Sequence, residues 1–212
     1  MFSAIWEAVS KPNSFFASLP ENDALVNRAL WLVLIVAALG GVAIYSSSLP
    51  LVQALPEGSV LRLIAPAGSA LAAAATTLAT WLVKGLLVRV GAGLSVKPWA
   101  VAAYSFTPYL LIYILFLLTT ALPVNLPPIT ADFATEAELV QEQFDQRALV
   151  YAASAPGRIT QILGYIGDIW SVLLIFIGVR AISGLRKAAV AGGLVGALVF
   201  ITDLALLLAR PL

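Results

Sequence analysis

The 212-residue chain is 61% hydrophobic and only 11% charged, and its mean hydropathy is +0.97. In soluble domains about a quarter of all residues are charged, so this composition excludes a water-soluble fold and indicates a protein surrounded by lipid. The chain has no His, no Cys and a formal charge of only +1, so we expect no metal site, no cofactor, no thiol or Ser-His chemistry and no nucleic-acid partner.

The N-terminal segment, residues 1–28, is predicted to lie at the cytoplasmic membrane surface. Apolar side chains share one face of a short helix, which Pro12 interrupts: Phe2, Ile5, Trp6 and Val9. The pattern predicts an amphipathic interfacial helix lying in the membrane plane, and a helix packed against the bundle is the equal alternative. Asn22 or Asp23 is expected to cap the first span.

Five apolar stretches are long enough to cross a bilayer, because a span needs about 20 residues at about 1.5 Å each. They cover residues 29–45 with their flanks, 63–90, 100–122, 159–182 and 188–209. Pro50 is expected to end the first stretch and Pro123 the third. The sequence therefore predicts an all-α, polytopic integral membrane protein whose residues 29–212 form one five-helix transmembrane domain.

The distribution of Lys and Arg predicts the orientation, since short loops rich in these residues stay in the cytoplasm. Six basic residues lie in or beside the second and fourth connections between spans: Lys84, Arg89, Lys97, Arg180, Arg186 and Lys187. The protein is therefore expected in the cell (cytoplasmic, or inner) membrane. Both connections and the N-terminus are expected on its cytoplasmic side, and the C-terminus is expected on the outer side. The same six side chains are predicted to bind anionic lipid headgroups, at about 1 kcal/mol each.

The loop of residues 122–158 is expected outside and to contain a short helix. Thr135 and Glu138 match a capping box. Apolar residues follow at helical spacing, and Pro156-Gly157 is expected to end the helix: Val140, Phe144, Ala148 and Tyr151. This stripe is predicted to cover the outer mouth of the bundle, and a docking surface for a partner is the alternative.

Small residues are predicted to form the packing faces of the spans, because lipid provides little hydrophobic drive between helices. They lie on the second, fourth and fifth spans: Gly68, Ala72, Gly164, Gly178, Gly192 and Gly196.

Two carboxylates lie inside predicted spans, where an ionised acid must face the bundle or water. Helical rise puts Asp168 about 13 Å and Asp203 about 9 Å below the same outer surface. We therefore expect them to approach each other, with three further polar residues completing the cluster: Thr202, Thr160 and Arg62. The cluster is interpreted as a structural hydrogen-bond node, or alternatively as a proton or cation site.

The order of several short motifs resembles the Yip family, five-span membrane proteins named for binding Ypt/Rab GTPases, in its prokaryotic branch. The motifs are Pro12 with Phe15-Phe16, then Tyr104-Ser105-Phe106-Thr107-Pro108, Trp170, Gly178 and Lys187-Ala188. The Asp-Leu-Tyr-Gly-Pro motif of eukaryotic members is absent from this sequence. The resemblance implies membrane organisation or scaffolding and no catalytic residues.

Two functions follow as hypotheses, and neither is enzymatic. The first is a membrane-organising or interaction protein whose partners are membrane lipids and a second copy or another membrane protein. The alternative is a small oligomeric transporter or channel for protons, cations or small solutes that uses the cluster of Asp168 and Asp203.

Overall fold

The computed structural model describes residues 2–93, 95, 97–132 and 135–208, and their side chains except those of Phe2, Asp23 and residues 203–208. These residues form helices and connecting segments without any strand. In chain order the helices are α1 (Phe2–Ser10), α2 (Pro12–Ala17), α3 (Asp23–Val52), α4 (Leu61–Ala92), α5 (Lys97–Tyr104), α6 (Thr107–Thr119), α7 (Ala137–Ala153), α8 (Ala155–Ser183) and α9 (Leu185–Leu208).

Five segments are long and apolar enough to cross a membrane, which confirms the predicted all-α polytopic fold and the number of spans. Four of them are single helices, namely α3, α4, α8 and α9. The third span consists of α5 followed by α6. The short helix predicted in the loop before the fourth span is present as α7.

The first span is longer than predicted. Its N-terminal end has the expected cap, because the Asn22 side-chain carbonyl accepts the backbone N–H of Leu25 at 3.1 Å. Its other end was expected at Pro50, but α3 continues to Val52 with this proline inside it. The proline lies in the last turn, where its missing N–H removes only one bond near the helix end.

The fourth span also begins earlier than predicted, since α8 starts at Ala155. Pro156 follows in the first helical turn, where a backbone N–H has no helical acceptor and proline is accepted. Pro156-Gly157 therefore opens the fourth span, while α7 ends at Ala153, before this pair.

The third span is interrupted at Ser105 and Phe106, between α5 and α6. Pro108 has no N–H for the carbonyl of Tyr104, four residues earlier, and its ring crowds that carbonyl. The Thr107 hydroxyl donates to the Tyr104 carbonyl at 2.8 Å, and the Ser105 hydroxyl donates to the Ala102 carbonyl at 2.7 Å. Two hydroxyls thus compensate for the broken backbone ladder inside the membrane.

The described chain divides into two compact units. Unit 1 comprises Met1–Val36, Thr77–Leu110 and Ile166–Leu212, and unit 2 comprises Ala37–Thr76 and Leu111–Tyr165. The break in the third span and the helices α1 and α2 belong to unit 1. The loop helix α7 and the second half of α3 belong to unit 2.

Three glycines of unit 1 have a neighbouring helix against them, which is tightly packed at Gly178 and in ordinary van der Waals contact at Gly192 and Gly196. A Cβ at these positions would lie 2.7 Å from Val101, 3.4 Å from Phe176 and 3.7 Å from Val172. The most crowded helical glycine of the unit was not predicted: a Cβ at Gly85 of α4 would overlap the ring of Trp99 in α5. Glycine is needed there because the indole ring lies against the α4 backbone.

The packing role predicted for Gly68, Ala72 and Gly164 is wrong within the described chain. Gly68 and Ala72 are exposed, and no described atom lies within 4 Å of a Cβ at Gly68 or Gly164. Small residues at four-residue spacing allow a close approach, but they do not determine which helix faces them.

Arg147 of α7 holds the loop of unit 2 together. Its side chain is 5% exposed, and its guanidinium donates to the backbone carbonyls of Pro50, at 2.8 Å, and of Pro127. Burial lowers the pKa of this guanidinium by removing water from around the charge. Gln143, one turn earlier, accepts the N–H of Thr130 at 2.8 Å.

Two predictions about this loop are wrong in detail. The capping box does not form, because α7 begins at Ala137 and the Thr135 hydroxyl donates to the Asp132 carboxylate instead. Ala148, predicted on the covered face of α7, is exposed, whereas Arg147 beside it is buried. The backbone carbonyls of Pro50 and Pro127 accept hydrogen bonds from the Arg147 guanidinium. The face of α7 that carries Arg147 therefore turns inward.

Replacing Arg147 with methionine is expected to open this loop, because two backbone carbonyls lose charged hydrogen bonds worth about 1.5–3 kcal/mol each. Limited proteolysis in detergent should cleave residues 122–136 at least about a hundredfold faster than in the wild type. Arg158→Met, which removes an exposed arginine, is the matched control. Equal cleavage rates for the two variants would contradict the role of Arg147.

Candidate functional site

A buried lysine lies inside the membrane-spanning part of α4. Lys84 precedes the end of this helix, Ala92, by eight residues, or about 12 Å of helical rise. Its side chain is only 2% exposed. A cation at this depth is stable only if polar groups or π electrons surround it, so its surroundings define the candidate site.

One hydroxyl group accepts a hydrogen bond from the ammonium, and a second hydroxyl from another span extends this chain of hydrogen bonds. Lys84 Nζ donates to Ser171 Oγ of α8 at 2.9 Å, and Ser171 Oγ donates to Ser105 Oγ at 3.2 Å. Both serines are fully buried. Ser105 is available because it lies in the break of the third span, so the interruption that Pro108 imposes also supplies a polar group to the site.

Aromatic rings next to the break complete the surroundings of Lys84. Its Nζ lies 4.7 Å from the centre of the Phe106 ring and 6.0 Å from the centre of the Tyr109 ring. Both distances are within the range of cation–π attraction, which is stronger where water is excluded. The two rings belong to the break and to the first turn of α6.

Asp168 supplies the negative charge of the site. The Tyr109 hydroxyl donates a hydrogen bond to its carboxylate, and Asp168 and Lys84 attract each other electrostatically. Asp168 is half-buried and lies three residues before Ser171 on α8. We name the five residues Lys84, Ser105, Tyr109, Asp168 and Ser171 the polar cluster.

The polar cluster contains both a cation and an anion, and their hydrogen bonds go to Ser171 and to Tyr109, respectively. The ammonium of Lys84 provides the positive charge that a bound cation would otherwise contribute near Asp168. A second cation would be repelled by the first at short range in a medium of low dielectric constant. The arrangement is therefore suited to joining the second, third and fourth spans at the break.

The other residues predicted to accompany Asp168 have hydrogen bonds of their own. Arg62 donates to the backbone carbonyls of Leu55 and Gln53, each at 2.7 Å. The Thr202 hydroxyl donates to the Leu198 carbonyl at 2.9 Å. The side chain of Asp203 lies outside the described residues, so its predicted approach to Asp168 stays a prediction.

Thr160 has its nearest hydroxyl neighbour in unit 2. Its Oγ1 lies 3.4 Å from Thr119 Oγ1 at the end of α6. This contact joins the third and fourth spans. The predicted place of Thr160 in a cluster with Asp168 and Asp203 stays a prediction.

The prediction that Lys84 binds lipid headgroups is wrong, because the protein itself surrounds its ammonium. Three of the other basic residues, Arg180, Arg186 and Lys187, are exposed, and Arg89 and Lys97 are half-buried. Lipid binding by these five stays a prediction. Lys84 was grouped with the loop residues because it is close in sequence to Arg89. Its position inside the apolar run from Trp81 to Val88 instead indicates a residue of the span.

The N-terminal helix α2 packs beside the polar cluster. Phe16 is fully buried, and one of its ring carbons would lie 3.3 Å from a Cβ at Gly178. Phe15 makes an edge-to-face contact with Tyr104, the last residue of α5, with ring centres 4.7 Å apart. The alternative of a packed N-terminal helix thus holds for α2, which contacts the third and fourth spans.

Helix α1 differs from α2 in its exposure. Ala8 is fully buried, whereas Trp6 is 70% exposed. One side of this helix therefore contacts the protein while its largest apolar side chain points away from it.

The comparisons with known proteins cover this whole site. A family model described as the Yip1 domain matches residues 6–209, almost the full chain. No curated protein and no solved structure matches the chain. The family match includes α2, the break in the third span and all five residues of the polar cluster.

Proposed function

The chain belongs to the family of membrane proteins that share the Yip1 domain, and from that premise we propose that it organises membranes by inserting helix α1 into one leaflet. Its N-terminus faces the cytoplasm in this proposal, and its C-terminus lies on the other side. The exposed Trp6 next to the firmly packed helix α2 is the observation that carries the proposal.

The packing of α2 supports this function because it fixes where α1 lies. Phe15 and Phe16 are both buried, and replacing a buried phenylalanine with alanine typically costs about 3–5 kcal/mol. A helix joined to α2 by Lys11 alone cannot move far from unit 1. Insertion of α1 would therefore act on the membrane directly beside the spans.

The side chains of α1 support insertion at the interface rather than across the bilayer. The helix has nine residues, too few to span a membrane. Tryptophan prefers the headgroup level, where its ring is in an apolar medium and its N–H is hydrated. A short helix that inserts into a single leaflet expands that leaflet and not the other. This difference in area favours curvature.

Replacing Trp6 with serine should strongly weaken remodelling without unfolding the protein. The purified protein in liposomes at high density is expected to form tubules or smaller vesicles, observed by electron microscopy. Removing the indole weakens insertion by about 2 kcal/mol, so the variant should need a roughly thirtyfold higher protein density for the same effect.

Trp31→Ser is the matched control, since Trp31 is also exposed, at 64%, but belongs to the span α3. This variant should remodel vesicles like the wild type. Unchanged vesicle shape with the wild-type protein at the highest density would refute the proposed function.

A further inference from the structure

An apolar groove runs between α3 and α4 in unit 2. It encloses about 490 Å³, and small residues form most of its walls: Ala38, Gly41, Ala67, Ala70 and Ala74. The two helices approach so closely at its base that a Cβ at Gly41 would lie 3.1 Å from the Ala70 carbonyl oxygen. The groove therefore has a narrow, closed base and smooth walls.

The groove and the cavity that continues it extend along half the length of α3 and α4. The groove begins at Ala37 and Ala74, near the middle of α3 and α4. A second cavity of about 300 Å³ continues along the same helices to Val52 and Leu61, close to their ends. The rise from Ala37 to Val52 is about 22 Å, about 7 Å more than the roughly 15 Å of hydrocarbon in one leaflet. The path therefore covers the hydrocarbon of one leaflet and continues to the headgroup level.

The volume of the groove corresponds to one acyl chain. At about 30 Å³ per methylene, close to a water molecule's share of liquid volume, 490 Å³ holds roughly 16 methylenes. That is the length of a common membrane acyl chain. The walls of the groove make dispersion contacts with an acyl chain on two sides. An acyl chain in the surrounding lipid has similar contacts, so retention in the groove depends on how closely the walls fit the chain.

The membrane-surface end of the groove is mostly apolar, but two hydroxyl groups and a nearby cation lie there. Ser48 and Ser69 line the second cavity together with Phe144 of α7. Arg147, three residues after Phe144, does not line the cavity but bonds to the carbonyl of Pro50, next to the lining residue Leu51. A phosphate beneath α7 would therefore lie near a positive charge.

We propose that the groove binds one phospholipid of a single leaflet, with an acyl chain between α3 and α4 and the phosphate region beneath α7. The lipid is a retained ligand, distinct from the lipids that exchange freely around the spans. This proposal does not depend on α1 or on membrane remodelling, so each can fail without the other.

Native mass spectrometry of the full chain, purified in mild detergent, tests the proposal. The wild type should retain one phospholipid per chain. The double variant Ala38→Leu/Ala67→Leu fills the groove, and the retained fraction should fall about tenfold, the effect of losing the contacts of one apolar side chain. The variant Ala72→Leu/Ala75→Leu adds the same atoms at exposed positions of α4 outside the groove and should retain the lipid.

A second measurement covers the case in which the filled variant does not fold. A phospholipid with a photoreactive group in the middle of its acyl chain should label α3 and α4 of the wild type near Ala38 and Ala70. Labelling spread evenly over all five spans, or no lipid retained by the wild type, would overturn the proposal.

Discussion

Lys84→Met is expected to lower the melting temperature of the protein by roughly 5 °C in detergent, since losing a hydrogen bond to a charged group costs about 1.5–3 kcal/mol. Methionine has nearly the length of lysine and fills the same space. The variant therefore removes the charge and the hydrogen bond to Ser171 without leaving a large cavity. Asp168 also loses the electrostatic attraction of Lys84.

The double variant Lys84→Met/Asp168→Asn separates charge from packing. It removes both charges, so neither is left in the membrane without the attraction of the other, and such double replacements are often neutral. We therefore expect its melting temperature to lie well above that of Lys84→Met. The control Lys187→Met removes an exposed lysine and should change the free energy of unfolding by less than about 0.5 kcal/mol. A Lys84→Met protein as stable as this control would contradict the polar cluster.

Gly85→Leu is expected to destabilise the protein by about 3 kcal/mol or more, because overpacking forces the backbone and neighbouring side chains apart. Even a Cβ at this position would overlap the ring of Trp99. That ring is fixed further by Trp81, whose indole lies 5.6 Å away, centre to centre. Neither bulky ring can move aside without disturbing the contact between α4 and α5.

Gly68→Leu is the matched control on the same helix. Gly68 is exposed, and leucine has the higher helix propensity by up to about 1 kcal/mol. We expect this variant to be as stable as the wild type or slightly more stable. Thermal unfolding of the two variants should therefore give opposite signs. Equal destabilisation would mean that Gly68 also packs closely, as the sequence pattern alone suggested.

The spans could be predicted from sequence because they depend on local properties. Long apolar runs must be helical in lipid, where no water satisfies backbone groups. Pro108 removes a backbone donor wherever it stands in a helix and so indicates a bend, but only the structure shows that α5 ends at Tyr104. The burial of Phe15 and Phe16 followed less directly, since the same pattern fits a helix lying on the membrane or against the protein.

The faces that the helices turn towards one another could not be predicted. Gly68 and Gly178 look alike in sequence, yet only Gly178 has a neighbouring helix against it. Each span is apolar all round, so hydrophobic periodicity carries little information about its orientation. Close fit between particular side chains decides the orientation, and that fit involves residues far apart in the chain.

Composition and local chemistry by themselves determined that this protein is a five-span helical membrane protein. Only the tertiary structure decided that Lys84 lies inside the protein and not at the lipid surface. The reason is physical: its stability there depends on Ser171, Ser105 and Asp168, which other helices contribute. A charged side chain takes its role from the groups that surround it in space.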